Sequence, residues 1–169
     1  MNARATSSFG VADRTKPVRV GVISDTHGLL RPAALAALRG SDLVIHAGDV
    51  GNADVIARLR ALARTVVVRG NNDKGAWAAR LPDTARIEVG GIRLLVIHEL
   101  TRLRLDPVAA GIGVVVSGHS HRPSVARREG ILYVNPGSAG PRRFTLPVSV
   151  ARLSISRGRI RSKLVELET

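Results

Sequence analysis

The chain contains no cysteine in its 169 residues. That excludes disulfides and every thiolate metal site, so any bound metal must be held by nitrogen and oxygen donors. Aromatic residues make up only 2%, against 44% hydrophobic overall. Val, Leu, Ile and Ala must therefore build the core, which suits strands covered by helices, and stacking platforms for single-stranded nucleic acid are scarce. No apolar run approaches the length of a membrane span. The first stretch, "MNARATSSFGVADRTKP", lacks the apolar segment of a signal peptide and reads as a disordered leader over 1–17. What remains, 18–169, is long enough for one domain with a real core, and the expected location is the cytoplasm, with no membrane partner.

Lysine is nearly absent as well. Of 26 basic residues only Lys16, Lys74 and Lys163 are lysine. The net charge of +13 would attract phosphate-rich partners. The basic positions are scattered, however, apart from pairs such as Arg127-Arg128 and Arg142-Arg143. Arginine displacing lysine beside abundant Ala, Gly and Val is also what GC-rich coding would produce. Nucleic acid is thus an admissible partner that charge alone does not favour.

What the chain does have is alternation. "VRVGVIS" reads as a strand, "RPAALAALRG" as a helix with Pro32 near its start and Gly40 at its end, "DLVIHAG" as a strand, "ADVIARLRAL" as a helix and "RTVVVRG" as a third strand. This βαβαβ order predicts parallel strands with right-handed crossovers and functional residues at their C-terminal ends. The second half reads differently: a hairpin turning at Gly90-Gly91, a short helix at "RLDPVAAG", a strand at "IGVVVSG", and strand pairs around Glu129-Gly130 and Arg157-Gly158. An α/β domain follows, parallel first and largely antiparallel second, which two mixed β-sheets packed face to face and flanked by helices would accommodate.

The polar residues fall where the strands stop. The strand ends carry "SDTHG" (Asp25, His27), "HAGDVG" (Asp49), "RGNND" (Asn71, Asn72, Asp73), "VIHE" (His98) and "SGHSH" (His119, His121). Singly, each has an ordinary explanation: a helix cap, turn chemistry, a hydrogen-bonded core histidine. Jointly, four imidazoles, two carboxylates and a carboxamide form a set suited to divalent ions, with too many donors for one tetrahedral site. Two ions fit if Asp49 bridges them, and two ions about 3.5–4 Å apart are the apparatus of phosphoryl transfer.

With these motifs in order, the sequence resembles the calcineurin-like metallophosphoesterase superfamily, and within it the small bacterial and archaeal phosphodiesterases related to the retromer subunit Vps29. "DTH" (25–27), "GD" (48–49), "GNND" (70–73), His98, "GHSH" (118–121) and "NPGS" (135–138) carry the likeness over most of the chain. The resemblance implies the metallophosphoesterase fold. It implies that Asp25, His27 and His121 bind one metal, that Asn71, His98 and His119 bind the other, and that Asp49 bridges. It implies a phosphodiesterase in which a hydroxide between two divalent ions attacks phosphorus, with Mn²⁺ expected and Ni²⁺, Fe²⁺ or Zn²⁺ allowed by the donor types. Asp49 and Asn72 are the catalytic candidates, and Asn72 and Arg142 are the candidates for binding a small phosphodiester substrate. His46 is expected to pack or to support, and Asn135, Pro136 and Gly137 to shape a nearby loop. A homodimer is the default assembly.

Two positions depart from the family pattern. Asn72 stands where many members have a histidine that protonates the leaving group, and Glu99 where relatives usually have glycine. Alternative readings within the resemblance are a Vps29-like interaction scaffold and a nuclease. A scaffold would be expected to have lost ligand types, whereas all seven positions hold suitable ones.

Overall fold

The computed structural model describes residues 7–8 and 16–169. In chain order these form β1 (Ser7–Ser8), β2 (Val18–Ile23), α1 (Pro32–Leu38), β3 (Leu43–His46), α2 (Ala53–Leu62), β4 (Arg64–Val67) and α3 (Ala76–Ala79). There follow β5 (Thr84–Val89), β6 (Ile92–Ile97), a 3₁₀ turn at Leu100–Arg102, β7 (Val114–Val116), β8 (Ser124–Arg128), β9 (Ile131–Asn135), β10 (Ser149–Ser156) and β11 (Arg159–Glu166). The leader expected over 1–17 lies outside the described residues except at 7–8, which pair in parallel with β5, and at 16–17. Among the described residues no helix is long and apolar enough to cross a membrane.

The strands make two mixed sheets, a six-stranded one ordered β1-β5-β6-β7-β9-β8 and a five-stranded one ordered β11-β10-β2-β3-β4. In the second, β2, β3 and β4 are parallel, as the βαβαβ reading requires. The hairpins β5–β6, β8–β9 and β10–β11 are antiparallel, with Val89 opposite Ile92 across the Gly90-Gly91 turn. The largely antiparallel second half needs one amendment: β7 runs parallel to both of its neighbours, β6 and β9. Parallel neighbours need a crossover. Here the stretch 98–113 supplies it, laying Leu100, Leu103 and Leu105 over the outward-facing Leu95 and Val115.

The expected helix at "RLDPVAAG" is a single turn. Asp106 Oδ1 accepts from the backbone N–H of Val108 and Ala109 at 3.0 and 3.3 Å, and Gly111, at φ 66°, ends the turn almost as it starts. A cap and a left-handed terminator five residues apart leave no room for a helix. The helix at Ala53–Leu62 does form, because Asn52 Oδ1 accepts the Val55 N–H at 3.2 Å and Val55, Ile56 and Leu59 line one face.

Two further apolar layers lie between the sheets and beneath the helices. Alternate residues of both sheets (Val20, Val22, Leu94, Val96, Leu153, Ile155) interdigitate between the sheets. The opposite faces of β2 and β3 bury Ile23 and Val44 against Leu38 of α1 and Leu59 of α2. Leu94 is fully buried between the sheets. Leu94→Ala is expected to cost ~2–5 kcal/mol of unfolding free energy, read from urea denaturation.

The end of β3 is held by a buried imidazole. His46 is wholly inaccessible. Its Nδ1 accepts the Gly48 N–H at 3.2 Å, so Nε2–H donates to Thr26 Oγ1 at 2.9 Å, and that hydroxyl donates to the Val50 carbonyl at 2.8 Å. The chain of bonds needs the neutral ring, and burial pushes its pKa down to about 4. In the unfolded chain the same group takes up a proton near its ordinary value of 6.5. Between those two pH values the unfolded state binds more protons, so stability is fully present above pH ~6.5 and is lost as pH falls toward ~4, by roughly 3 kcal/mol. His46→Gln should show a shallower loss of urea stability across this window than the wild-type chain, and equal slopes would rule this out.

Candidate metal centre

Parallel pairing does not stop where the strands do. Beyond β2 and β3, the N–H groups of Asp25, His27 and Gly28 donate to the carbonyls of Gly48, Asp49 and Val50 at 3.0, 3.0 and 2.8 Å. Two loops are thereby zipped side by side, each carrying one buried carboxylate, Asp25 and Asp49. The loop after β4 is pinned beneath them by Asp73. One of its carboxylate oxygens accepts the Gly51 N–H at 2.9 Å and the other the Gly70 N–H at 2.8 Å. The six-stranded sheet brings His98 directly after β6 and His119 and His121 after β7.

The local backbone is unusual in one consistent way. Among the described residues eight non-glycine positions have positive φ, and five of them are Asp25 (55°), His27 (47°), Asp49 (53°), His119 (68°) and His121 (59°). For an L-residue this conformation is costly and persists where surrounding structure over-determines it, as it commonly does at functional sites. Glycine is required where these turns meet. A Cβ at Gly48 would lie 2.6 Å from the His98 ring, and one at Gly70 would collide with the Asp49 backbone and carboxylate.

The side chains converge. His121 Nε2 lies 3.3 Å from Asp25 Oδ1 and 3.4 Å from His27 Nε2, and His27 Nε2 lies 4.0 Å from the same Asp25 oxygen. His98 Nε2 lies 3.0 Å from Asn71 Oδ1, and His119 Nδ1 lies 3.1 Å from that oxygen. Asp49 Oδ2 stands between the groups, 3.8 Å from His27 Nε2 and 3.5 Å from His98 Nε2. Donor atoms of Asp25, His27 and His121 lie within 4.8 Å of one another, and so do those of Asp25, Asp49 and His98. All seven residues expected from the sequence are thus brought to one place.

The donor chemistry fits cations. His98 Nδ1–H donates to the Ala47 carbonyl at 2.7 Å, so in the neutral ring the Nε2 lone pair points at the oxygens of Asn71 and Asp49. An imidazole that gives its other N–H to a backbone carbonyl is oriented as metal-binding histidines are. Among the described residues Asp25 Oδ1 and His121 Nδ1 are buried without a hydrogen-bond partner, whereas Asp25 Oδ2 is satisfied by Ser24 Oγ at 2.6 Å and the His119 N–H at 3.1 Å. Lone pairs facing lone pairs, with a buried carboxylate oxygen left over, call for positive charge between them.

Electrostatics point the same way. Burial pushes the Asp49 carboxyl up, but hydrogen bonds from His98 and from Asn72 outweigh it and hold the group far below the usual carboxylate range. Asn72 donates to both Asp49 oxygens, from its backbone at 2.9 Å and from Nδ2 at 2.7 Å. His98 is pushed down by burial and more strongly up by Asp49 and Asp25. Burial dominates at His27 and lowers it, aided by His121 and Arg143.

Several neighbours were not singled out by sequence reasoning. Asp73 and Ser24 look like turn residues, yet both are buried braces, and only their hydrogen bonds reveal it. Asn135, which the sequence reading did assign to a nearby loop, donates from Nδ2 to the Gly118 carbonyl at 2.9 Å and to Ser120 Oγ at 3.0 Å, steadying the turn that presents His119 and His121. Arg142 is not brought to the site, since its guanidinium donates to Thr169 Oγ1 at 3.1 Å. Arg143 is the cation whose charge reaches His27. Glu99 pairs with Arg102 at 2.8 Å and accepts from Thr101 Oγ1 at 2.9 Å, so its charge is matched on the rim of a groove of about 570 Å³ that runs from Asn71 and His98 to Arg69 and Arg102.

Comparison with known proteins agrees with this geometry. The family model described as the calcineurin-like phosphoesterase superfamily domain matches residues 18–158. A probable metallophosphoesterase of Methanocaldococcus jannaschii is 34% identical over 162 residues, covering 88% of this chain and 81% of that protein. One from Methanothermobacter thermautotrophicus is 33% identical over 147 residues, covering 79% and 85%. Among solved structures, Vps29 of Cryptosporidium parvum superposes with a TM-score of 0.74 at 17% identity, covering 91% of this chain and all of that one (100%). A structurally and functionally characterised archaeal phosphodiesterase gives 0.73 at 22%, covering 87% and 99%. At those identities the two structures speak for the fold, which is the two-sheet metallophosphoesterase sandwich. The donor groups of Asp25, His27, Asp49, His98 and His121 lie where they could hold metal, and the chain belongs to the calcineurin-like phosphoesterase superfamily, whose members are metal-dependent phosphoesterases.

Proposed function

We propose that the chain is a phosphodiesterase that works with two divalent ions, Mn²⁺ being the expected metal. The observation that carries the number is the position of Asp49 Oδ2 between His27 and His98, which belong to opposite halves of the donor set. Asp25, His27 and His121 would hold one ion, and Asn71, His98 and His119 the other, with Asp49 between. Bound there, such ions acidify water and offset charge on a phosphoryl group.

The residues of the chain define the rest. The reaction joins a water oxygen to phosphorus and breaks one ester P–O bond. Asn72 spends one Nδ2–H on Asp49 and has a second to orient a phosphate oxygen. It carries no proton to give at neutral pH, so the leaving oxygen departs without acid help from that position. Good leaving groups are therefore preferred. Arg143, exposed and electrostatically coupled to His27, is the cation placed to meet an incoming phosphodiester. The adjoining groove of about 570 Å³ is of a size for one small ester substituent, and its Glu99–Arg102 pair gives it a balanced rim.

Hydrolysis of bis(p-nitrophenyl) phosphate with added Mn²⁺ tests the reading, with metal content measured in parallel. Two ions per chain and Mn²⁺-dependent turnover are expected, and Asp49→Ala should lose both. Folded protein that turns over nothing with Mn²⁺, Ni²⁺ or Zn²⁺ would instead favour an interaction scaffold. Asn72→Ala should lower kcat by roughly 10², as for a lost charge-stabilising donor. A dialkyl phosphodiester should be cleaved more slowly than the nitrophenyl ester by at least the ~10²–10⁴ that general-acid help would supply.

A further inference from the structure

Five of the basic residues that look scattered in the sequence gather on one face of the fold. On β10 and β11 every second residue faces away from the inter-sheet core. Leu153 and Ile155 face it, with Ile160 and Leu164 packed against it, so Arg152, Arg161 and Lys163 face out. The ladder sets Arg152 opposite Lys163 and Ser154 opposite Arg161, with Arg19 of β2 beside Ser154. Arg39, just past α1, completes a pocket of about 470 Å³ on this face, and none of its lining residues is acidic.

Not all of this charge is free. Arg19 pairs with Asp42 at 3.3 Å, and Arg152 Nε donates to the Ala37 carbonyl at the end of α1. Arg39, Arg161 and Lys163 have no charged partner among the described residues, and like charges directly opposite on a ladder oppose folding. The patch also lies away from the metal centre. It gathers at the start of β2 and the turn before β3, whereas the metal centre sits beyond the far ends of those strands.

We propose that this face binds the sugar–phosphate backbone of nucleic acid without reading its sequence. Cations at alternate strand residues recur every ~7 Å, comparable to successive phosphates along one strand, and arginine's fork suits phosphate oxygens. The pocket lining has no aromatic residue on which bases could stack, so contact is with the backbone. An anionic membrane fits less well, because among the described residues the exposed large hydrophobic ones, Leu29, Val108 and Phe144, lie on other segments and not on this face. This surface goes beyond the phosphodiesterase reading and holds a polyanion apart from the catalytic groups.

Fluorescence anisotropy with a short labelled single-stranded RNA, at KCl from about 50 to 200 mM, tests it. Arg161→Glu with Lys163→Glu should weaken binding at least ~10-fold and reduce the slope of log K against log salt by about 1.4, the loss of two phosphate contacts. Arg86→Glu with Arg127→Glu, on the other sheet and with the same change of net charge, should leave affinity within about threefold. Hydrolysis of bis(p-nitrophenyl) phosphate should be unaltered in both. Should the reversed pair fail to fold by circular dichroism, Arg161→Gln with Lys163→Gln should still weaken binding and lower the slope. Equal losses in both charge-reversed proteins would mean diffuse attraction by net charge and overturn the site. So would an unaffected Arg161/Lys163 variant, or wild-type protein that binds anionic phospholipid vesicles but not RNA.

Discussion

The centre rests on the backbone zip between the loops after β2 and β3. Three N–H to carbonyl bonds, from Asp25, His27 and Gly28 to Gly48, Asp49 and Val50, continue the parallel ladder past the last strand residues. They hold two buried carboxylates in one small volume, an arrangement that mutual repulsion and desolvation both oppose. The loops do not relax apart because further bonds close them from the sides: Asp73 grips both flanking glycine N–H groups, and His46, through Thr26, links the β2 loop to the end of β3. The positive charge required at the centre follows from that enforced proximity. The centre's imidazole and carboxylate donors are of the types that would hold a divalent ion there.

Both sheets contribute. Asp25, His27, Asp49 and Asn71 follow strands of the five-stranded sheet, and His98, His119 and His121 follow strands of the six-stranded one. Their meeting therefore depends on how the sheets are packed, through residues such as Val22, Val96 and Val116 in the layer between them. Since interiors are close-packed and respond to single methylenes, a shift in that layer would be felt as a misplacement among donors only 3–4 Å apart. Catalytic geometry and the inter-sheet core are one structural problem in this fold.

Much of this was legible in the sequence. The seven donors could be picked out because each directly follows an apolar run, and a strand's C-terminal end is a place the topology exposes. The α2 helix and the Gly90-Gly91 hairpin were legible because a cap, a period and a turn signal agree locally. The misread parts depend on something non-local or on competition within a few residues. Pro107 to Gly111 has helical composition but is closed by Asp106 and Gly111 before a second turn can start. The parallel setting of β7 depends on which edge its crossover reaches. Arg142 and Arg143 are adjacent in sequence, and only the fold shows that the first bonds Thr169 while the charge of the second is felt at His27. The basic face escaped notice because a period of two on a strand separates like charges in print while stacking them in space.

The glycines around the centre carry a consequence for how such a protein can change. At Gly48, Gly70 and Gly118 a first side-chain carbon would run into His98, Asp49 and the Ser24–Asp25 pair respectively. The floor of the site is therefore bare main chain, closed to single-step variation by steric exclusion. Residues at the mouth (Glu99, Arg102, Arg143) project from segments with no such exclusion. Diversification of substrate, by natural drift or in a laboratory library, is channelled to that rim, and the chemistry beneath can stay fixed while the molecules it acts on change.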